Sequence, residues 1–333
     1  MKRKRIALLY GGVGVEHDVS LAGKEYLLDV IDRKKYIPYP VLITKTGEWY
    51  AGGDPDRPVS LAVGSGIRAL TEGERTVPIR AVFPILHGDV GEDGKIQGLL
   101  ECAGIPYVGC KVTAGAVASD KILTKDIAAS LGIPTVPGIA IVSDMPTEKA
   151  RALAEDHVGY PMFIKPACLG SSIGAHSVHS PSEFAVHFEA ALRLGGKRVL
   201  IEEFIEDRRE LECAYLARSG GDIFTNPGEI ISHGVYDYNE KYSPDSRSRT
   251  LVRASVPDHV CELAREYSRR LVERLGITGL SRIDFFLSGG ELLFNEINTM
   301  PGFTKSSLYS AMIEAVGIDP TELVTELIEG AAL

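Results

Sequence analysis

The sequence is poor in cysteine and tryptophan and has no long apolar run. Its five cysteines include no closely spaced pair of the Cys-x-x-Cys kind, which is typical of reduced thiols in a cytosolic protein. No stretch approaches the roughly 20 apolar residues of a membrane-spanning helix. These absences predict a cytoplasmic protein with no membrane partner.

The sequence also lacks an excess of positive charge. Its formal net charge is −9, which argues against nucleic acid as a partner, although a locally basic site could still bind a small anion. The apolar run 6–10 is shorter than the roughly 7–15 residues of a signal-peptide core, and two glycines follow it. We therefore expect residues 6–10 to form the first β-strand.

Length and residue pattern predict two or three domains. With 333 residues, 44% of them hydrophobic, the chain can bury more than one core. Strands and helices alternate up to about residue 119, which indicates a parallel sheet with functional residues at its strand ends. The middle of the chain mixes helices and strands in α+β fashion. We place the domains at residues 1–119, 120–215 and 216–333.

The segment 281–298 carries a suggestive set of polar side chains. Two apolar, aromatic-rich runs flank Ser288-Gly289-Gly290, which predicts a β-hairpin. If the connection has an odd number of residues, alternation puts six side chains on one face: Arg282, Asp284, Phe286, Phe294, Glu296 and Asn298. The core-facing side would then hold Ile283, Phe285, Leu293 and Ile297. Carboxylate and amide oxygens suit Mg²⁺, so the first face predicts a metal and phosphate site, the alternative being a solvated face with a salt bridge.

A glycine- and serine-rich loop, 166–174, follows a predicted strand that ends at Lys165. Glycine lets backbone N–H groups approach an anion and the serines add hydroxyl donors, so such a loop can cover phosphates. Lys165 and Lys121 would add positive charge, although a plain linker would look the same. The P-loop motif, Gly-x4-Gly-Lys-Ser/Thr, is not matched.

The apolar segment 200–205 carries two carboxylates, Glu202 and Glu203, and predicts the edge of a nucleotide cleft. Glu202 or the backbone would read the adenine amino group, and Glu210 would bind the ribose hydroxyls. Flat apolar contacts for the base would come from three rings: Phe204, Phe286 and Phe294. Surface carboxylates and core aromatics are the plain alternatives.

Two side chains follow the ends of predicted strands in the first domain. Glu16 could bind a substrate ammonium, and His87 would face the same cleft. Asp18 or Ser20 is expected to cap the helix that follows. The polar, turn-rich segment 226–246 is long enough to act as a lid that excludes water.

Taken together, these motifs resemble those of the D-alanine–D-alanine ligases, members of the ATP-grasp superfamily. The resemblance covers nearly the whole chain, from Ile6 to about Pro320. It rests on ordered blocks at 11–21 (GGVGVEHDVSL), 87–98 (HGDVGEDGKIQG), 119–121 (SDK), 165–174 (KPACLGSSIG), 202–205 (EEFI), 209–213 (RELEC), 236–242 (YDYNEKY), 282–284 (RID) and 295–304 (NEINTMPGFT).

The resemblance implies a multidomain α/β and α+β protein, in which an N-terminal parallel-sheet α/β domain precedes an ATP-grasp fold. ATP would lie between the second and third domains, with lysines on its phosphates. Two Mg²⁺ ions, or Mn²⁺, would be bound by Asp284, Glu296 and Asn298. The residues implied to bind ATP are Lys121, Lys165, Glu202, Glu203, Phe204, Ile205, Glu210, Lys241, Phe286, Phe294, Asn295 and Glu296.

The resemblance implies that one amino acid is activated first. Glu16 would bind the ammonium of the first D-alanine and form hydrogen bonds with Ser171 and Tyr242, tying the first domain to the lid. His87 would contact the same substrate. ATP would then phosphorylate its carboxylate to give a D-alanyl phosphate, because a free carboxylate is a poor electrophile.

The second D-alanine would attack this intermediate. Ser307 and Leu308 would receive its carboxylate, while Arg282 and the Gly302 N–H would stabilise the tetrahedral oxyanion. The residues implied to be catalytic are Glu16, Ser171, Tyr242, Arg282 and Ser307. The products would be D-alanyl-D-alanine for peptidoglycan precursors, ADP and phosphate. A homodimer is expected, because relatives are commonly dimers.

Several alternatives stay open. The turn 206–209 is one residue longer than is usual in the family, so Glu212 competes with Glu210 for the ribose, and the lid residue that stacks on adenine is Val235 or Tyr236. A D-alanine–D-serine or D-alanine–D-lactate ligase is the nearest alternative function, and Tyr242 favours the dipeptide. A catalytically dead regulator is disfavoured by the intact motifs, and a Rossmann dehydrogenase by the glycine spacing.

Overall fold

The chain folds into three successive units, each built around at least one sheet. The structure is a computed structural model, and it describes residues 3–62, 69–142, 144–231 and 248–332. The first unit contains β1 Lys4–Gly11, α1 His17–Val30, β2 Tyr36–Ile43, β3 Trp49–Ala51, β4 Val59–Leu61, β5 Ala69–Glu72, β6 Arg75–Pro78, β7 Ala81–Ile85, α2 Lys95–Cys102 and α3 Val112–Ala118.

The second and third units follow the first along the chain. The second contains α4 Lys121–Ser130, β8 Gly138–Val142, α5 Thr147–His157, β9 Met162–Pro166, β10 His176–Val178, α6 Pro181–Leu194 and β11 Arg198–Glu203. The third contains β12 Arg209–Leu216, β13 Ile223–Phe224, β14 Gly228–Ile231, β15 Arg249–Leu251, α7 Asp258–Leu275, β16 Leu280–Ser288, β17 Glu291–Asn298, α8 Leu308–Ala315 and α9 Pro320–Glu329.

The main sheet of the first unit has the order β3-β2-β1-β7. β1 is parallel to β2 and to β7, as the alternation of strands and helices predicts, and β3 is antiparallel to β2. β4, β5 and β6 form a separate antiparallel sheet within 52–80, where the sequence predicts loops with weak strands. Because β1 and β7 are neighbours, Glu16 and His87 follow adjacent strand ends, as expected.

The turn after β1 is held by glycine and by the hydroxyl of Ser20. Gly11 has φ +88°, and a Cβ there would lie 2.3 Å from the Ile43 carbonyl oxygen, so only glycine fits. The Ser20 hydroxyl accepts a hydrogen bond from the Gly11 N–H at 2.8 Å and donates to the Ile85 carbonyl. The prediction that Asp18 or Ser20 caps α1 is wrong, because the helix begins at His17 and Glu16 is the cap residue.

The second and third units each have an antiparallel sheet. The second has the order β10-β9-β11-β8, and the third has β15-β14-β12-β16-β17 with β13 beside β12. β12 therefore pairs with β14 and β16 of the third unit. The predicted second domain, residues 120–215, would instead have included most of β12. We propose that the boundary between these domains lies between β11 and β12.

The β16–β17 hairpin differs from its predicted register. Its connection is the two-residue turn Gly289-Gly290, and a bulge leaves Asn295 without a partner, because Asp284 pairs with Glu296 whereas Phe285 pairs with Phe294. Arg282, Asp284, Glu296 and Asn298 still share one face, but Phe294 lies on the core side and Leu293 opposite Phe286. The predicted faces of Phe294 and Leu293 are therefore wrong.

Phe303 links the first unit to the loop that follows the hairpin. Its side chain is fully buried, and its ring centre lies 5.7 Å from that of Phe83, 5.8 Å from that of Tyr26 and 6.4 Å from that of Tyr309. The surrounding core combines β1 and β7 with α8 and α9. No helix in the described ranges is both long and apolar enough to cross a membrane.

We predict that Phe303→Ala lowers the free energy of unfolding by about 3–5 kcal/mol, because it removes a buried ring between two units. Urea unfolding followed by circular dichroism measures the change. The matched control is Val186→Ala, since Val186 is 67% exposed and its truncation should change stability by less than about 0.5 kcal/mol. Equal stability of the two variants would contradict the proposed packing role.

Candidate functional site

Two connected cavities meet at the hairpin. The larger, of about 500 Å³, lies between the loops that follow β1 and β7, the hairpin and the start of α8. The smaller, of about 110 Å³, lies between the sheets of the second and third units. Lys121, Arg282 and Glu296 line both cavities, so a group bound in one could react with a group bound in the other.

Arg282 is held on the hairpin face by two carboxylates. Its Nε and Nη2 donate to the two oxygens of Asp284 at 2.8 and 2.7 Å, and Nε lies 3.1 Å from Oε1 of Glu212. Asn298 donates to Asp284 at 2.9 Å. Burial would lower the pKa of Arg282, but Asp284 and Glu212 raise it well above its ordinary value, so the guanidinium stays charged at the junction of the two cavities.

Three lysines are paired with carboxylates at the smaller cavity, which Lys121 and Lys165 line directly. Lys121 Nζ lies 3.1 Å from Glu296 Oε2 and donates to the Leu169 carbonyl at 2.7 Å. Lys165 and Lys125 approach the two oxygens of Glu202 at 2.6 and 2.5 Å. Sequence patterns assign no role to Lys125, although it follows Lys121 by one turn of α4 and so shares its face.

Glu202 is buried between its two lysines. Burial would raise the pKa of Glu202, but Lys125 and Lys165 lower it below its ordinary value, so the carboxylate is ionised. Burial lowers the pKa of Lys125 to about 8 against the opposing effect of Glu202. Because the Glu202 carboxylate is engaged by lysines, the arrangement favours the backbone of this segment, rather than that side chain, as the reader of the adenine amino group.

The end of the smaller cavity away from Arg282 contains two phenylalanine rings. It is lined by Glu203, Phe204, Ile205, Glu210 and Phe286, whereas Phe294 is fully buried in the core and does not line it. Asn295, the bulge residue, also lines the cavity and accepts a hydrogen bond from Lys165 at 3.2 Å. Because of the bulge, the polar side chain of Asn295 lines the cavity, and the ring of Phe294, which was predicted to line it, does not.

Glu210 and Glu212 occupy different ends of the cleft. Glu210 pairs in register with Phe286 at the aromatic end, whereas Glu212 pairs with Asp284 and contacts Arg282 at the junction. This separation supports the assignment of Glu210 to the ribose side. Glu212 is a partner of Arg282 that sequence reasoning did not assign, although its position two residues after Glu210 predicts the same strand face.

The larger cavity brings Glu16 and Ser171 together, as the resemblance implies. The Ser171 hydroxyl donates a hydrogen bond to the Glu16 carboxylate, so the loop 166–174 contacts the first unit. Gly88 has φ +61°, a conformation that favours glycine, and a Cβ there would lie 2.3 Å from Glu16 Oε2, so a larger residue would displace that carboxylate. Ser171 itself has a positive φ of 50°, which aims its side chain at the first unit.

His87 presents one ring nitrogen to the same cavity. Its Nδ1 donates to the Met300 carbonyl at 3.0 Å, and among the described residues Nε2 has no hydrogen-bond partner. Burial lowers the pKa of His87 despite the opposing effect of Glu16, so the ring is neutral. A neutral ring with Nδ1 protonated leaves Nε2 as an acceptor for a bound donor.

Glu92 is a further acidic group of this cavity that the sequence did not single out. Its Oε1 accepts the Gly88 N–H at 3.1 Å, and it lies near Glu16. Burial and the charge of Glu16 raise the pKa of Glu92 to about 8. Glu92 is therefore protonated at neutral pH, a property that spacing along the chain does not reveal.

The start of α8 closes the other wall. Gly302, Ser307 and Leu308 all line the larger cavity, and the Ser307 hydroxyl accepts the Thr304 N–H at 2.8 Å. The N-terminus of a helix offers unpaired N–H groups to an anion. Lys241 and Tyr242, which the resemblance places in the lid, lie outside the described residues.

The hairpin face carries oxygen donors that suit a divalent metal. No group of three or more histidine, cysteine, aspartate or glutamate side chains within the described ranges is arranged to hold an ion. Asp284 and Glu296 nevertheless face each other in register, with the amide of Asn298 beside them. Two carboxylates and an amide are a donor set that fits Mg²⁺ when nucleotide phosphates supply the remaining ligands.

We predict that stability falls as Glu92 ionises. Because the folded-state pKa of Glu92 is raised from 4.5 to about 8, the stabilisation by its protonated form is complete below about pH 4.5 and is lost as pH rises through about 8. Wild-type protein should therefore lose stability relative to Glu92→Gln between pH 5 and 9. Thermal unfolding across that range measures the difference.

The control for this prediction is Glu291→Gln. Glu291 is exposed at the hairpin turn, away from both cavities, and its variant should follow the wild-type pH profile. A Glu92→Gln profile parallel to that of the wild type would show that Glu92 does not change charge in this range.

Comparisons with known proteins place this geometry in a family. Residues 5–110 match the family model described as "D-ala D-ala ligase N-terminus", and residues 127–329 match "D-ala D-ala ligase C-terminus". A D-alanine–D-alanine ligase of Thermoanaerobacter sp. is 39% identical over 352 aligned positions, covering 98% of this chain and 96% of the relative.

Two solved structures have the same architecture. D-alanyl-alanine synthetase A of Vibrio cholerae superposes with a TM-score of 0.90 at 32% identity, covering 99% of both chains. The VanG D-Ala:D-Ser ligase of Enterococcus faecalis superposes with a TM-score of 0.88 at 32% identity, covering 98% of this chain and 99% of that one. The chain belongs to the D-alanine–D-alanine ligase family and is a ligase with the ATP-grasp fold.

Proposed function

We propose that this ligase joins two D-alanines to D-alanyl-D-alanine, with ATP as cosubstrate and a D-alanyl phosphate as intermediate. The observation that carries the proposal is the junction at Arg282, where the lysine-lined cleft opens into the cavity of Glu16 and Ser171. A phosphoryl donor on one side and an amino-acid carboxylate on the other can meet there. The dipeptide is a building unit of peptidoglycan precursors.

ATP is proposed to bind with its phosphates on Lys121 and Lys165 and its ribose on Glu210. Lys241 would add a third positive charge. Both observed lysines are paired with carboxylates in the cleft, so incoming phosphate oxygens would find charged donors that are already positioned. Two Mg²⁺ or Mn²⁺ ions are proposed to bind at Asp284, Glu296 and Asn298, where they would neutralise charge on the phosphates.

The first D-alanine is proposed to place its ammonium at Glu16 and His87. The neutral His87 ring offers Nε2 as an acceptor, and the Glu16 carboxylate is oriented by Ser171, with Tyr242 as its proposed third partner. The substrate carboxylate would then point toward Arg282. Its oxygen attacks the γ-phosphorus of ATP, ADP leaves, and the acyl phosphate forms.

The second D-alanine is proposed to bind through its carboxylate at the start of α8, with Ser307 and the Leu308 backbone. Its amine, after loss of a proton, attacks the acyl carbon. The Arg282 guanidinium and the Gly302 N–H stabilise the oxyanion, the C–N bond forms and phosphate leaves. Water must be kept out because it would hydrolyse the acyl phosphate, which is the proposed role of the lid.

A D-alanine–D-serine ligase is the second candidate. The observation that favours it is the likeness to the VanG D-Ala:D-Ser ligase over nearly the whole chain. Tyr242 favours D-alanine as the second substrate. Competition between D-alanine, D-serine and D-lactate for that position decides between the two candidate functions.

We also propose that the protein is cytoplasmic, since ATP and the precursors are cytoplasmic, and that it is a homodimer. Sedimentation at micromolar concentration tests the dimer.

We predict that the protein releases phosphate from ATP only when D-alanine and Mg²⁺ are both present. L-Alanine places its methyl group on the opposite side and should give no more release than the reaction without amino acid. Chelation of Mg²⁺ should abolish the activity. Equal release with either enantiomer would contradict the proposed substrate, and release without D-alanine would indicate a simple ATPase.

We predict that Arg282→Lys lowers kcat by about 10²–10³ while changing the KM for ATP little. Lysine keeps the charge that balances Asp284 and Glu212 but loses the planar fork aimed at the oxyanion. Steady-state kinetics on D-alanine measures both constants. Arg269→Lys is the control, because Arg269 is exposed on α7, pairs with Glu266 at the surface and lines neither cavity. A kcat like that of the control would exclude the oxyanion role.

A further inference from the structure

The turn 206–209 places an arginine, Arg208, at the smaller cavity. The Arg208 side chain is 12% exposed, and its Cζ lies 5.3 Å from the ring centre of Phe204 and 5.1 Å from that of Phe286. Both rings line the smaller cavity. They are also the rings that sequence and resemblance assign to adenine, so the planar guanidinium lies where a planar base would stack.

Arg208 also takes up polar groups that a nucleotide would use. Its Nη1 donates to the Ile205 carbonyl at 2.8 Å, and its Nε and Nη2 lie 3.2 and 3.1 Å from Oε1 of Glu210. The backbone of this segment is the proposed reader of the adenine amino group, and Glu210 is the proposed ribose ligand. The guanidinium and the nucleoside therefore compete for the same acceptors.

The volume of the smaller cavity is consistent with a guanidinium that fills part of the nucleoside site. The smaller cavity measures about 110 Å³, whereas typical small-molecule sites measure roughly 300–1,000 Å³. Arg209, the next residue, does not fill the cleft, because its Nε and Nη2 form a two-point ion pair with Glu229 at 2.7 Å each. Only the first of the two adjacent arginines is turned toward the rings.

We propose that Arg208 occupies the adenine slot and is displaced when the nucleotide binds. The proposal rests on the proposed function insofar as the smaller cavity is the ATP cleft. Arg208 is then a residue that sets nucleotide affinity. The Arg208 side chain must leave its contacts with Phe204, Phe286, Ile205 and Glu210 before a base can enter.

The need to displace Arg208 lowers the apparent affinity for the nucleotide. If only a fraction of the free enzyme has an open slot, the apparent Kd is the intrinsic Kd divided by that fraction. Removing the guanidinium should therefore tighten ADP binding, by about three- to tenfold for open fractions of about one third to one tenth. Loss of a positive charge near an anionic ligand would act in the opposite direction, so tighter binding is diagnostic.

The test is calorimetric titration of ADP with Mg²⁺ into the full-length wild type and Arg208→Ala. Tighter binding to the variant is expected, and equal or weaker binding would overturn the proposal. Arg208→Met keeps the apolar stem without the donors, and the same criterion applies to it if the alanine variant does not fold. Inorganic tripolyphosphate, which has no base, should bind no more tightly to the variant, and tightening equal to that of ADP would also overturn the proposal.

The matched control is Arg269→Ala. Arg269 also lies over a phenylalanine ring, with its Cζ 5.4 Å from the Phe224 ring centre, but it lies outside both cavities. Its variant should bind ADP like the wild type, and tightening equal to that of Arg208→Ala would overturn the specific role. Phosphate release by the wild type is measured separately, so failure of D-alanine to support it would remove the ligase proposal without changing the ADP result.

Discussion

The bulge at Asn295 decides the chemistry of the hairpin. A regular ladder from the two-residue turn Gly289-Gly290 would put Glu296 and Asn298 on the face opposite Asp284. The single unpaired residue shifts the register, so both side chains return to the face of Arg282 and Asp284. The same residue contacts Lys165, which links the hairpin to the second unit across the cleft.

Paired charges organise the cleft before any substrate arrives. Lys121, Lys165 and Arg282 each face at least one carboxylate, so burial leaves no isolated charge among them. In the adjoining cavity, burial and the nearby Glu16 raise the pKa of Glu92 to about 8, which keeps it protonated at neutral pH and limits repulsion between the two carboxylates. An anionic cosubstrate and a zwitterionic amino acid would thus meet a site whose charges are already balanced and oriented.

Local sequence was a good guide to elements and a poorer guide to partners. The sequence predicts a helix over residues 95–102 and a strand over residues 138–142, and α2 and β8 have these bounds, because a helical apolar period and a short β-branched run each specify one structure. The short helix α3 was missed, since its small side chains carry no strong period. The role of Lys125 was missed for another reason: its partner Glu202 is 77 residues away in the sequence, on a strand that only the fold brings near.

The sequence by itself determined the family, the order of the elements and the polar composition of the hairpin, because ordered motifs and side-chain periods are local properties. Tertiary structure alone decided that Phe294 belongs to the core, that Glu202 is held by two lysines and that Arg208 lies over Phe204 and Phe286. Each of these depends on strand register or on packing between units. Register is a collective property of two strands, so a one-residue bulge reverses which side chains face the cleft without any signal in the residues between.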